Sequence, residues 1–154
     1  MMDEFDRQLL VLLQEDGLAT AEQLAGQVPL SPSAIARRVR RLRADGVIAA
    51  TRAVLSEQVA GRRLRALVMV QLHDHAPAAG LAALRQRLMA RAEVQMCLEV
   101  SGQHDLVLLV SVADMPAFNA FADAELAGDP VVRRYETSFV KKALKHTTAV
   151  PLAD

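Results

Sequence analysis

The chain has 154 residues, 52% of them hydrophobic, and its 18 lysines and arginines balance 18 acids to a formal net charge of zero. That composition supplies a core and excludes wholesale disorder, and it excludes a global basic field, so any affinity for a polyanion must come from local clustering. A single cysteine, Cys97, excludes an intrachain disulfide framework and a thiolate zinc site, and no Trp with one Tyr is a poor basis for a single-strand stacking platform.

The first residues, MMDEFDRQ, are acidic and hold no apolar signal core. No apolar run, that from Leu106 to Val110 included, is long enough to span a bilayer. The expectation is a cytoplasmic protein with no membrane partner.

Asp3 to Asp16 reads as a first helix, with Phe5, Leu9, Leu12 and Leu13 at helical spacing and Gly17 as its end. Thr20 with Gln23 three positions on forms a capping box for a second helix, whose apolar face is Ala21, Leu24, Ala25 and Val28. Pro29 and Leu30 make a tight connection. The stretch SPSAIARRVRRLRADG then carries its own start and stop. Ser31 is the N-cap, Pro32 suits the first helical position, and Gly46 suits the left-handed end.

At about 100° per residue, Ile35, Val39 and Leu42 share one narrow face of this helix. Ser33, Arg37, Arg40 and Arg41 fall opposite, with Arg38 and Arg43 on the flanks. No acid intervenes before Asp45. Arg37 and Arg41 stand four apart with the same sign, which costs a few tenths of a kcal/mol unless an anion is present. A charge-rich face is more often simply solvated. Here, however, it sits on the helix after the turn of a helix-turn-helix, the one whose N-terminal residues enter the major groove.

Val47 to Leu55 is β-branched and reads as a strand or wing. Ser56 to Arg63 contains Gly61 and shows no clear period, so it reads as a hinge. Arg52, Arg62 and Arg63 are either phosphate contacts or ordinary linker charges, the latter being commoner. From Arg65 the texture changes. Ala66 to Leu72 is a central strand, Pro77 to Ala92 a helix, and Val94 to Val100 a half-buried strand with alternating faces. Gly102-Gln103-His104-Asp105 is a turn, and Leu106 to Val112 another apolar strand. Asp114 caps a helix carrying Phe118, Phe121, Ala122 and Leu126, stopped by Gly128-Asp129-Pro130. Val131 to Val140 is a last strand, with a basic extension through Lys141, Lys142, Lys145 and His146 toward Val150.

The order is βαβ twice, the second unit following the first by about thirty-nine residues. That is the ferredoxin-like split βαβ pattern. The fold class is therefore α+β: residues 1–50 a helix-turn-helix domain, 51–64 a hinge, and 65–154 a ferredoxin-like domain. Helices on one face of a four-stranded sheet leave the other face bare, and strands apolar on both sides ask for a cover. An identical sheet is the simplest cover, which makes a homodimer.

The residues that could signal an enzyme are weak. His73-Asp74-His75 on a strand would point to opposite faces and converge on a metal only in a loop. Cys97 lies mid-strand, where cysteine is usually an inert hydrophobe. No phosphate-binding or dinucleotide loop is present. No cofactor, metal or catalytic residue is expected.

Three strings, FDRQLLVLLQEDG, TAEQLAGQVPLSPSAIARRVRRLRADGVI and SGQHDLVLLV, together resemble the Lrp/AsnC, or feast/famine, transcription regulators along essentially the whole chain. The resemblance implies a plain or winged helix-turn-helix joined to an αβ-sandwich, the RAM domain. It implies dimers that assemble further into tetramers or octamers, binding to double-stranded DNA, and a response to small effectors, typically amino acids. Carried over, the DNA-reading positions are Ser31, Ser33, Arg37, Arg38 and Arg41, to which the helix face adds Arg40. The effector positions are Gly102, His104 and Asp105, on the family's Gly-x-x-Asp turn between two core strands. His104 stands where the family often has an aromatic residue. On the residues alone, Gly102 can expose backbone N–H groups to a carboxylate and Asp105 can pair an ammonium. Equally, both simply form a turn. The alternative function is a ligand-binding or assembly module of the same fold with no DNA-reading role.

Overall fold

The computed structural model describes residues 2–152, and these fall into two compact units, residues 2–54 with 145–152, and Leu55–Leu144. Residues 145–152, expected at the end of the second domain, group with the first unit. No helix among the described residues is long and apolar enough to cross a membrane.

In the first unit, helix α1 spans Glu4–Glu15 and opens on a capping box. The Asp3 side chain accepts the Asp6 N–H, and the Asp6 side chain accepts the Asp3 N–H. Helix α2, Ala21–Ala25, opens on the expected Thr20–Gln23 box. Helix α3, Pro32–Ala44, starts with the Ser31 hydroxyl accepting the Ala34 N–H. It ends at Gly46, whose φ of 72° is a conformation that glycine alone adopts without penalty. Leu9, Leu24, Val28 and Ile35 are buried together, with Phe5, Leu12, Leu13 and Val39 packed around them. The expected α3 stripe thus faces the core.

One expectation fails in the connecting chain, and the hinge holds an element that the spacing did not show. Residues 47–55 form no strand. Val54 is 96% exposed and Leu55 63%, and β-branched propensity cannot hold a lone strand without a partner ladder. The hinge instead contains a short helix, α4, Glu57–Ala60.

The second unit is a four-stranded sheet in the order β2-β3-β1-β4, with β1 Leu64–Leu72, β2 Val94–Glu99, β3 Leu106–Val112 and β4 Val132–Phe139. All three pairings are antiparallel, as the split βαβ pattern requires. Helix α5, Ala78–Ala90, joins β1 to β2. Helix α6, Met115–Ala122, opens on Asp114 and runs into a π-helical turn at Asp123–Ala127. The basic extension of β4 does not form, because Phe139 already pairs with Ala66 near the start of β1, and the partner strand ends two residues later at Leu64.

Cross-strand partners share a face of the sheet. Ala66, Val68, Val70, Leu106, Leu108 and Val110 are buried against Leu84, Leu88, Phe118, Phe121 and Leu126 from the helices. On the opposite face, Met96, Leu109 and Leu67 make one row, and Leu98, Val107 and Met69 the next. The residues of those rows are not part of the core cluster that the helices fill, and Leu67 and Leu98 are 38% and 48% exposed.

Candidate functional site

Charge on α3 is sorted by the elements beside it. The Asp6 carboxylate is fully buried, and one of its oxygens accepts the Arg38 Nη1 at 2.9 Å. The other accepts Arg41 Nη2 and the Asp3 N–H. Arg38 Nη1 also reaches Asp3 Oδ2 at 2.7 Å, and its guanidinium lies 5.7 Å from the centre of the Phe5 ring. The side chain of Arg38 is only 21% exposed, against 46% for Arg41. The acids missing within α3 thus come from the start of α1. The carboxyl of Asp3 is held below its ordinary value by the Asp6 N–H and then by Arg38. Its hydrogen bonds to Asp3 and Asp6 push the Arg38 guanidinium further up.

Arg37, Arg40 and Arg43 are exposed, and none has an acidic partner among the described residues. Ser31 and Ser33 are exposed at the helix N-terminus, with hydroxyl oxygens 3.2 Å apart. The six candidate residues therefore separate. Ser31, Ser33, Arg37 and Arg40 face outward, Arg41 is half exposed and tethered, and Arg38 is built into the α1–α3 packing. The spacing contains the signal for this: Arg38 lies only about 40° from Leu42 around the helix.

The Gly102–Asp105 turn is also sorted by the sheet. Gly102 has a φ of 141°, and a side chain there would meet nothing within 4 Å. Asp105 closes the turn. Its N–H donates to Val70 O and its carbonyl accepts Val100 N–H, while its Oδ2 accepts the Leu72 N–H at 2.8 Å. The turn role and an open carboxylate oxygen are thus both present. A cavity of about 370 Å³ beside it is lined by Asp74, Leu81, Arg85, Glu99 and Asp105 among others. Within it Arg85 pairs with Glu99 at 2.8 Å. Gly102 and His104 do not line this cavity. His104 is 17% exposed, and its Nε2 has no hydrogen-bond partner, standing 3.8 Å from Glu136 Oε2.

The remaining candidates stay apart. His73 and His75 flank Asp74 in the turn after β1, not on the strand, and all three are exposed. No group of three His, Cys, Asp or Glu residues that could hold a metal occurs among the described residues. Cys97 packs against the helix-side core, and burial pushes its thiol up. Arg63 donates to the buried Ser111 hydroxyl and carbonyl, so it is not an open linker charge.

Residues 2–43 match the AsnC-type helix-turn-helix domain, and residues 65–150 match the Lrp/AsnC ligand binding domain. An uncharacterized HTH-type transcriptional regulator of Haemophilus influenzae is 31% identical over 151 residues, 98% of this chain and 89% of its own. A transcriptional regulator of Neisseria meningitidis, solved as its L-Met complex, superposes with a TM-score of 0.89 at 31% identity, over 99% of this chain and 97% of that one. A feast or famine regulatory protein of M. tuberculosis, complexed with L-methionine, gives a TM-score of 0.80 at 30% identity over 97% and 99% of the two chains.

Proposed function

The chain belongs to the Lrp/AsnC family of transcriptional regulators, and from that premise we propose that it reads double-stranded DNA through α3 and responds to an amino acid at its second unit. The observation that carries the DNA reading is the outward face of α3. Arg37 and Arg40 present guanidinium groups with no acidic partner beside Ser31 and Ser33 at the helix start. Arginine forks suit guanine edges and phosphates, and serines at a helix N-terminus suit a backbone phosphate. Arg41 joins this set at its edge, and Arg38 acts as a strut within the unit.

For the effector we propose the surroundings of the 102–105 turn. The supporting chemistry is one cavity holding a guanidinium, Arg85, with three carboxylates, Asp74, Glu99 and Asp105. A zwitterion has the complementary pair of charges. Gly102 contributes an open backbone on the outer side of the turn. His104, directed toward Glu136 instead, contributes to the sheet face. Methionine in two structural neighbours makes L-methionine the first probe. The chain's role is binding rather than catalysis, in the cytoplasm, and the apolar rows Leu67–Leu109–Met96 and Met69–Val107–Leu98 favour a homodimer through the sheet, with larger assemblies built from it.

The test is selection of duplexes from a random pool by the full chain, followed by footprinting of the winners. Two protected major-groove segments about 34 Å apart, formed only at higher protein concentration by Arg37→Ala, support a dimeric reader. Failure to enrich any duplex at low salt favours the alternative, a ligand-binding module without a DNA role. A thermal-shift panel of the twenty amino acids tests the effector in parallel, since a ligand of the native state raises its melting temperature.

A further inference from the structure

We infer that Asp6, which lies outside the DNA-reading helix, is a positioning residue for DNA recognition: its buried carboxylate braces Arg41 at the edge of the α3 face, ready for a phosphate. This rests on the proposed reading of DNA by α3.

The geometry is asymmetric. Asp6 is 0% exposed, and Arg38 and Arg41 approach different oxygens of its carboxylate. Arg38 is closed in further by Asp3 and by the Phe5 ring. Arg41 is held at Nη2 only, and nearly half of its side chain faces solvent. A guanidinium has five N–H donors in a rigid plane. One is directed to Asp6, and the opposite edge remains for a phosphate oxygen.

Arg41 does not leave Asp6 in order to bind. Its departure would strip a fully buried carboxylate oxygen of its charged partner, and breaking a buried pair is strongly unfavourable. The same side chain therefore serves both anions at once. Bracing has a second effect. A free arginine loses much rotamer freedom when it docks, whereas Arg41 loses part of that freedom during folding. Arg37 and Arg40 have no such brace, so they adapt to the sequence they meet while Arg41 fixes the frame. The divided labour explains why Asp6 is buried where a surface helix would normally hold an apolar residue.

The experiment is a double-mutant cycle on binding of a fluorescein-labelled duplex, recovered by the selection from a random pool, across a salt series. The proteins are the full-length wild type, Asp6→Asn, Arg41→Ala, the double variant, and Arg41→Lys, with Arg37→Ala/Arg40→Ala as the control on α3 itself. Helical circular dichroism at low temperature verifies that each is folded. Arg41→Ala should weaken binding about tenfold and flatten the salt slope by about 0.9 per bound protomer. Asp6→Asn should weaken binding about fivefold when Arg41 is present and less than about twofold when it is absent. Arg41→Lys, which remains folded even if Asp6→Asn does not, should retain the slope but lose most of the affinity, since an ammonium cannot serve two anions with one plane.

Equal losses from Asp6→Asn in both backgrounds would make Asp6 a structural strut only and overturn the inference. Tighter binding by Asp6→Asn would show Asp6 competing with DNA for Arg41, and would overturn it too. Wild-type affinity in Arg41→Lys has the same consequence. If the Arg37/Arg40 control loses binding while the Asp6 effects are absent, α3 still reads DNA and only the brace is wrong. If that control binds like wild type, the reading of α3 itself fails.

Discussion

Asp6→Asn replaces one carboxylate oxygen in the first unit by an NH2 group and should destabilise the unit far more than loss of any exposed charge on α3. The amide presents one oxygen and one NH2 where the carboxylate presented two acceptors. Either Arg38 or Arg41 must then face a donor. One charge-assisted hydrogen bond disappears and the other becomes weaker. Bonds to charged groups contribute about 1.5–3 kcal/mol each and neutral ones about 0.5–1.5 kcal/mol. Arg41 can turn to solvent, which recovers part of the loss, so the expected cost is about 2–3 kcal/mol. For a unit of this size that lowers the melting temperature by roughly 10–20 °C. The only tyrosine, Tyr135, lies in β4 of the second unit, so its fluorescence does not report on the first. Amide hydrogen exchange in α1 and α3 is the appropriate assay. Protection there should fall by the full cost while exchange in β1 and β3 is unchanged. Arg37→Ala, at an exposed position with no acidic partner, should change protection by less than about 0.5 kcal/mol. A cost below that same figure for Asp6→Asn would refute the view that the buried carboxylate organises the unit.

Three further outcomes follow from the structure. Gly102→Ala places a side chain at φ 141° in open space, so the turn should reshape at a cost of about 1–3 kcal/mol and any amino-acid thermal shift should vanish; an unchanged shift would remove the turn from the effector site. The Asp3 carboxyl is depressed in the folded chain relative to the ordinary 3.8, so its contribution is fully present above that pH and disappears as pH falls through the lower folded value. Protection in α1, taken relative to the intrinsic exchange rate at each pH, should therefore fall below about pH 4, and Asp3→Asn should abolish the acid dependence it supplies. The Cys97 thiol is pushed up by burial, so a disulfide reagent at pH 8 should react with native protein at least about tenfold more slowly than with denatured protein; equal rates would contradict its packing in the core.

Local chemistry was the most legible part of this chain. The Thr20–Gln23 box, the Ser31–Pro32 start and the Gly46 stop each act within a few residues, and each forms as read. The sheet order was legible for a related reason. Two βαβ repeats with hydrophobic strands leave few ways to build an antiparallel sheet, and β2-β3-β1-β4 is the split one. What the sequence concealed acts at long range or depends on a missing partner. Asp6 and Arg38 are thirty-two positions apart, and helical periodicity does not say which turn of α1 meets α3. The Asp3–Asp6 box follows the same local logic as Thr20–Gln23, but nothing in its spacing shows that its carboxylates also meet Arg38 and Arg41. Residues 47–55 have the composition of a strand and no strand beside them. The tail shows the reverse. Without strong periodicity it still docks in the first unit, where the Gln14 amide donates to the Val150 carbonyl and accepts its N–H. At the turn proposed for the effector, the sequence placed Gly102, His104 and Asp105 within four residues. Within that turn, ahead of β3, Asp105 lines the cavity while His104 stands toward Glu136, a parting that adjacency in the sequence does not show.

On a chain with no net charge, the proposed reading assigns the attraction to DNA to the unpartnered arginines of α3. The most direct measurement is the slope of log affinity against log salt for a selected duplex, for wild type and for Arg37→Ala/Arg40→Ala. Removing two guanidinium–phosphate pairs should flatten the slope by about 1.8 per bound protomer, with lower affinity at every salt. Equal slopes and equal affinities in the two proteins would contradict that assignment.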